Sequence, residues 1–147
     1  MKNKLTKETF KHKGIEGIMI KVGPINFIDC GEDLKDEDLI KIKKATADHP
    51  EKRKLVFMPF TDIVQFKIED DVKRGYKVRY KLPNGERIDS TQVYTKAEID
   101  KIFFIMIPKR VYGQSQEMAR GLSQLVPDGL SFAFVQDEIE ISIIDNK

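Results

Sequence analysis

Residues suited to covalent or metal chemistry are scarce in this chain of 147 residues. Cys30 is the one cysteine, so an internal disulfide is excluded and a reducing compartment is expected. The two histidines, His12 and His49, are far apart in the sequence and do not form the clustered pairs of zinc sites. The glycines also lack the spacing of a phosphate-binding loop. We therefore expect no metal, no cofactor and no catalytic activity, although carboxylates brought together by the fold are an alternative.

Long hydrophobic stretches and a strong charge imbalance are also missing. The longest apolar run, IFFIMI at residues 102–107, is much shorter than the roughly 20 residues of a membrane-spanning helix. The first residues, MKNKLTKETFKHKG, lack the apolar core of a secretion signal. A formal net charge of +2 is too small to predict a nucleic-acid or membrane partner by itself. These features predict a cytoplasmic protein that does not associate with membranes.

Short apolar runs separated by turn residues predict a chain rich in β-strands. Strands are expected at about residues 15–22 and 25–30, on either side of Gly23-Pro24, and in the apolar runs that flank Pro59. Asn84-Gly85 predicts a hairpin with a type I′ turn, and residues 130–144 predict a final hairpin that turns near Gln136-Asp137. The run at 102–107 is interpreted as a buried strand, with a continued helix as the alternative.

Helices are predicted in three places. Acids precede lysines at residues 34–47, Thr95 and Glu98 have the spacing of a capping box, and residues 115–126 have an apolar face. The resulting fold class is α+β, with a mainly antiparallel sheet or small barrel and about three helices. We expect a single domain over residues 1–147, with a small-barrel part at 13–70 and a hairpin plus helix-strand part at 71–147.

The segment KRGYKVRYKLPNGERI, residues 73–88, predicts a strand with one cationic face. Tyr76, Val78, Tyr80 and Leu82 alternate with the positively charged residues and are expected to face the core. Same-face side chains about 7 Å apart have a spacing comparable to that of phosphates on a nucleic-acid strand. The candidate nucleic-acid or anion-binding residues are Arg74, Lys77, Arg79, Lys81, Lys109 and Arg110. The alternative, which we favour, is that these cations cover the solvent face of an edge strand.

The segments KGIEGIMIKVGPINFIDCG and RKLVFMPFTDIVQF resemble the Sm/Hfq-like family of SH3-like small barrels. Gly17, the run at 25–28 and the run at 63–66 occupy the corresponding places in a resemblance that covers residues 13–68. Residues 31–53 depart from the family, which has a short connection there. The resemblance implies RNA binding and ring assembly, but it transfers no site residue to this chain.

Two functions follow from these patterns. An excess of apolar strands, including residues 102–107 and 139–144, without catalytic motifs predicts a non-enzymatic module that assembles with itself or binds a protein partner. The alternative is a protein that binds RNA or single-stranded DNA through the basic hairpin.

Overall fold

The protein is represented by a computed structural model that describes residues 2–12, 15–23, 25–29, 54–69, 74–116, 119, 122 and 129–146. These residues form mostly β-strands, together with a short α-helix and a 3-10 helix over Lys109–Gln114. The strands are β1 (Lys2–Lys4), β2 (Lys7–His12), β3 (Ile15–Val22), β4 (Ile25–Asp29), β5 (Lys54–Phe57), β6 (Asp62–Phe66), β7 (Tyr76–Lys81), β8 (Arg87–Asp89), β9 (Ile102–Ile107), β10 (Ser131–Gln136) and β11 (Glu140–Asp145), and the α-helix is α1 (Lys96–Asp100).

The strands form three sheets that pack as layers. The central sheet has the order β1-β6-β9-β10, the N-terminal sheet has the order β2-β3-β4-β5, and the hairpin sheet has the order β11-β7-β8. One face of the central sheet packs on the N-terminal sheet, where Ile105 shares a core cluster with Phe27. The other face packs on the hairpin sheet, where Phe104 shares a cluster with Val78. The central sheet is therefore covered on both sides.

Strand β9 shows why the sequence IFFIMI has no simple period. All six residues of the strand are buried. Phe103, Ile105 and Ile107 face the N-terminal sheet, whereas Ile102, Phe104 and Met106 face the hairpin sheet. A strand that is buried on both faces is apolar at every position rather than at every second one. The prediction of a buried strand at 102–107 is confirmed.

The predicted capping box is also confirmed. The backbone N–H of Glu98 donates to the Thr95 hydroxyl at 3.2 Å, and the backbone N–H of Thr95 donates to the Glu98 carboxylate at 3.0 Å. These reciprocal bonds begin α1, whose Ile99 is fully buried against the hairpin side of the central sheet. The helix ends after Asp100, and β9 begins at Ile102.

The predicted fold class, α+β with about three helices, is wrong. In the described part of the chain, the strands form mixed and antiparallel sheets, and the only complete helices are α1 and the 3-10 helix. The predicted helix at 34–47 lies outside the described residues. Of the predicted helix at 115–126, only residues 115, 116, 119 and 122 are described, and they have helical conformation.

Strand pairing departs from the predicted, mainly antiparallel arrangement in three places. Strands β4 and β5 pair in parallel, as do β9 and β10. Strands β10 and β11 do not form the predicted final hairpin, because β10 belongs to the central sheet and β11 to the hairpin sheet. Strands β1 and β2 were not predicted. Their segment has few apolar residues, and of these Phe10 is buried.

The β7–β8 hairpin is confirmed, but its turn type is wrong. The N–H of Gly85 donates to the carbonyl of Leu82 at 2.9 Å, so Pro83 and Asn84 are the central residues of the turn. Proline fixes a negative φ at the first of these positions and excludes a type I′ turn. Gly85 follows with a φ of 90°, a backbone conformation that glycine adopts readily.

Candidate binding cleft along an edge strand

Strand β7 separates apolar from cationic side chains as the sequence predicted. Tyr76 and Val78 are 3% and 1% exposed and belong to the core between the central and hairpin sheets, where the half-buried Tyr80 also packs. Lys77, Arg79 and Lys81 alternate with them and face outward. The proposal that these cations cover an edge strand is wrong, because β7 is the middle strand of its sheet.

Arg79, the central cation of this face, is already paired. Its Nε donates to Oδ1 of Asp89 at 2.7 Å and its Nη2 donates to Oδ2 at 3.1 Å, which is a bidentate pair between adjacent strands. The hydrogen bond to Asp89 raises the pKa of Arg79. The same bond, reinforced by the charges of Arg79, Lys77 and Arg87, lowers the pKa of the Asp89 carboxyl. The positive charge of Arg79 is therefore neutralised by Asp89, so less of it is available to bind a phosphate.

The other predicted cations differ in their surroundings. Lys81 lies between Arg87 of β8 and Glu140 of β11 in the strand register, and Lys77 lies beside Ile144. Among the described residues, Lys77, Lys81 and Arg87 form no salt bridge. Lys109 and Arg110 are exposed on the 3-10 helix. The backbone carbonyl of Arg74 accepts a hydrogen bond from the Asn146 amide at 3.0 Å.

Strand β11 is an edge of the hairpin sheet, and the ladder shows which of its backbone groups are unpaired. The N–H of Asn146 donates to the carbonyl of Gly75 at 3.0 Å, in line with the register in which Ser142 faces Arg79. Hydrogen-bonded pairs alternate along an antiparallel ladder, so the even-numbered residues of β11 bond to β7. The N–H and C=O groups of Ile141, Ile143 and Asp145 therefore point away from β7, and in the described chain β11 has no strand on that side.

Two clefts follow β11 from end to end. The first, with a volume of about 570 Å³, is lined along this strand by residues 139–142, and its apolar wall includes Val64 and Met106 of the central sheet. The second, also of about 570 Å³, is lined by residues 143–146. Arg79 lines both clefts. Of the predicted cations, Lys81 joins it in the first and Lys77 in the second, whereas Arg74, Lys109 and Arg110 line neither.

The first cleft carries both signs of charge on different elements. Its cations, Arg79, Lys81 and Arg87, lie on β7 and β8, and its acids are Asp62, Asp137 and Glu140. Asp62 accepts a hydrogen bond from the backbone N–H of Ile63 at 2.9 Å and lies 4.0 Å from the ammonium group of Lys7. Glu140 belongs to the edge strand itself. A molecule that approaches β11 from its open side therefore meets Glu140 before it meets the cations of β7 and β8.

The described residues contain no cluster of three or more side chains of the kinds that ligate metals, and Cys30 and His49 lie outside those residues. The same part of the chain has no helix of the length and apolarity needed to cross a bilayer. No protein-family model matches the sequence, and no curated protein is significantly similar to it.

The apolar strand at 139–144 was expected to belong to an interface, but its open edge was not predicted, because it was paired with the wrong strand. Asp89 was assigned no part in a site. One signal was available: residues 139–144, IEISII, contain four isoleucines and neither proline nor lysine. Such a strand lacks the lysine and proline that protect many natural sheet edges from further pairing.

Proposed function

We propose that this protein is a non-enzymatic protein-binding module that binds an extended segment of a partner along β11. The observation that carries the proposal is that β11 is a six-residue edge strand with clefts beside both of its halves. An extended peptide can add to such an edge through main-chain hydrogen bonds, while its alternate side chains enter pockets. The single cysteine is compatible with a module that works in the cytoplasm.

Strand β11 offers both unpaired main-chain groups and apolar surface to an added strand. Ile141, Ile143 and Asp145 offer their backbone groups, and each main-chain bond contributes about 0.5–1.5 kcal/mol net. Ile141 and Ile143 are half-buried against the hairpin side of the core, so an added strand would cover their remaining apolar surface. Val64 and Met106 provide an apolar wall for a side chain of the partner that points into the first cleft.

The proposal is tested by selecting random decapeptides displayed on phage against the full chain and measuring the affinity of the selected peptides. Proline at position 143 removes an N–H that points to the open edge and leaves the bonds between β11 and β7 in place. We expect Ile143→Pro to weaken binding at least tenfold relative to Ile143→Ala. The alanine variant is the matched control, because it loses the isoleucine side chain and keeps the N–H.

Two results contradict the proposal. One is a selection that enriches no peptide. The other is equal binding of the selected peptides to the two variants, provided that both give the circular dichroism spectrum of the wild type.

Nucleic-acid binding is the second candidate, because Lys77, Lys81 and Arg87 share the outward face of the hairpin sheet without an ion pair among the described residues. It predicts that labelled single-stranded RNA binds the wild-type chain at low salt and dissociates steeply as salt is added. Changing these three cations to glutamine abolishes that binding, whereas Lys109→Gln, outside both clefts, leaves it unchanged. Absence of binding at low salt rejects this candidate.

A further inference from the structure

We infer that the segment bound along β11 is basic, with a lysine or arginine directly across from Glu140; this inference rests on the proposed function and specifies the partner. It is carried by the charges on the open side of the hairpin sheet and by the register of its strands. Both can be read for each position that an added strand would occupy.

The open edge carries acids near both of its ends and no cation of its own. Residues 137–146, which comprise the turn before β11, the strand and Asn146, contain Asp137, Glu138, Glu140 and Asp145 and no lysine or arginine. Asp137 and Glu140 line the first cleft, and Asp145 lines the second. Opposite charges on neighbouring strands stabilise the pair, and like charges destabilise it. The edge therefore favours a strand that carries positive charge.

The register of β8, β7 and β11 shows where a positive charge of the added strand would lie. Arg87, Lys81 and Glu140 are cross-strand neighbours in succession on the outward face of the hairpin sheet. An added strand would extend this row by one residue, and the neighbour of that residue would be Glu140. Glu140 also adjoins Lys81, but the two form no salt bridge within 4.0 Å in the described structure. A lysine or arginine across from Glu140 completes an opposite-charge pair there.

The neighbouring positions set the rest of the pattern. Two positions from the basic residue, on the same face, a residue of the added strand would lie across from Ser142. A hydroxyl or other polar side chain fits there. On the opposite face it would lie across from Ile141 and Ile143, beside Val64 and Met106, where apolar residues fit. The expected ligand is thus an extended segment that alternates apolar with polar residues and has a basic residue at one end.

A second copy of β11 does not satisfy this pattern. Pairing two identical edges would place the same four acids on both sides of the new ladder and would supply no cation from either strand. The occupant that the charges favour is therefore a basic segment of another protein.

The test uses tagged decapeptides of alternating valine and threonine in which one threonine is replaced by lysine, glutamine or glutamate. Because the repeat is two residues, each peptide can shift along β11 until the variable side chain reaches Glu140. By fluorescence anisotropy on the full chain, we expect the lysine peptide to bind about fivefold more tightly than the glutamine peptide, and the glutamate peptide to bind most weakly. Glu140→Gln removes most of this preference and Glu140→Lys reverses it.

The outcomes distinguish this inference from the function on which it rests. If the three peptides bind equally, or glutamate binds best, and Ile143→Pro still abolishes binding, the basic partner is excluded while strand addition stands. Sedimentation that shows a dimer dissociated by Ile143→Pro would identify a second copy as the occupant and overturn the inference. If neither these peptides nor the phage-selected ones bind, the proposed function itself fails.

Discussion

The two edges of the hairpin sheet differ in length and composition although they flank the same strand. Both strands have a charged residue at each end, but β8 has three residues, all of them exposed. Strand β11 has six residues, and its three isoleucines are half-buried. Very short edges resist pairing with another chain, whereas a longer edge without lysine or proline is less protected. Of the two edges of this sheet in the described residues, β11 is therefore the better suited to receive a further strand.

Strand β7 makes different side-chain contacts with its two neighbours, β8 and β11. Arg79 forms a bidentate pair with Asp89 on the β8 side, whereas its cross-strand neighbour on the β11 side is Ser142. The one charge of Arg79 is therefore used to fix β8. On β11, Ile141 and Ile143 pack against the core beneath the sheet. Glu140 and Ser142 alternate with them on the outward face and are exposed.

The largest expected effect tests which backbone groups of β11 are already used within the fold. The N–H of Ser142 is assigned to the ladder with β7, so Ser142→Pro should cost about 2 kcal/mol more than Ser142→Ala, because a carbonyl of β7 loses its donor. The N–H of Ile143 points outward, so Ile143→Pro and Ile143→Ala should have similar free energies of unfolding. Urea denaturation of the four variants gives the two differences. Equal proline penalties at the two positions would show that the edge is not open.

The open edge could not be predicted from the sequence, because a hairpin was expected where two strands in different sheets are found. Residues 130–144 alternate and turn near Asp137 as a hairpin does, and local pattern does not specify partners. The neighbours are chosen by tertiary contacts: Phe132 stacks on Phe103 at 5.6 Å, whereas Ile141 joins the cluster of Tyr76 and Val78. Individual strands were found from the period of their side chains, but their pairing was not.

The pairing of Arg79 with Asp89 was missed for a more local reason. A type I′ turn on Asn84-Gly85 would have placed Arg79 across from Ser90, because register follows the turn. The observed turn is centred on Pro83-Asn84 with Gly85 as an extra residue, so the N–H of Leu82 donates to Glu86 and Arg79 lies across from Asp89. Proline at the first central position was the signal that excluded the predicted turn.

The parallel pairs could have been anticipated. Strands β4 and β5 are separated by residues 30–53, and β9 and β10 by residues 108–130, which are the two longest intervals between consecutive strands among those described. A parallel pair requires a crossover of a dozen or more residues, so these connections have sufficient length. The prediction of a mainly antiparallel sheet rested instead on the short connections between most of the predicted strands.

A smaller effect is expected from placing a charge on each edge in turn. Ile141 and Ile88 are both cross-strand neighbours of Tyr80, one on β11 and the other on β8. Ile141→Lys should weaken binding of the phage-selected peptides about tenfold, because an added strand would have to bury the ammonium group. Ile88→Lys is the matched control and should leave the affinity unchanged. A loss of affinity in Ile88→Lys as large as that in Ile141→Lys would place the binding site elsewhere on the hairpin sheet.

The smallest effect concerns the pair that fixes the β8 side. The hydrogen bond from Arg79 lowers the pKa of Asp89 in the folded chain below its unfolded value of about 3.8. A depressed carboxyl pKa adds stability above the unfolded pKa, and this stability is lost as the pH falls through the folded pKa. The wild type should therefore be slightly more stable than Asp89→Asn at neutral pH, since exposed ion pairs contribute little, and the difference should disappear in acid. Urea denaturation of both proteins from pH 7 down to about pH 3 measures this difference. If the difference persisted unchanged in acid, the Asp89 carboxylate would not be what fixes β8 to β7.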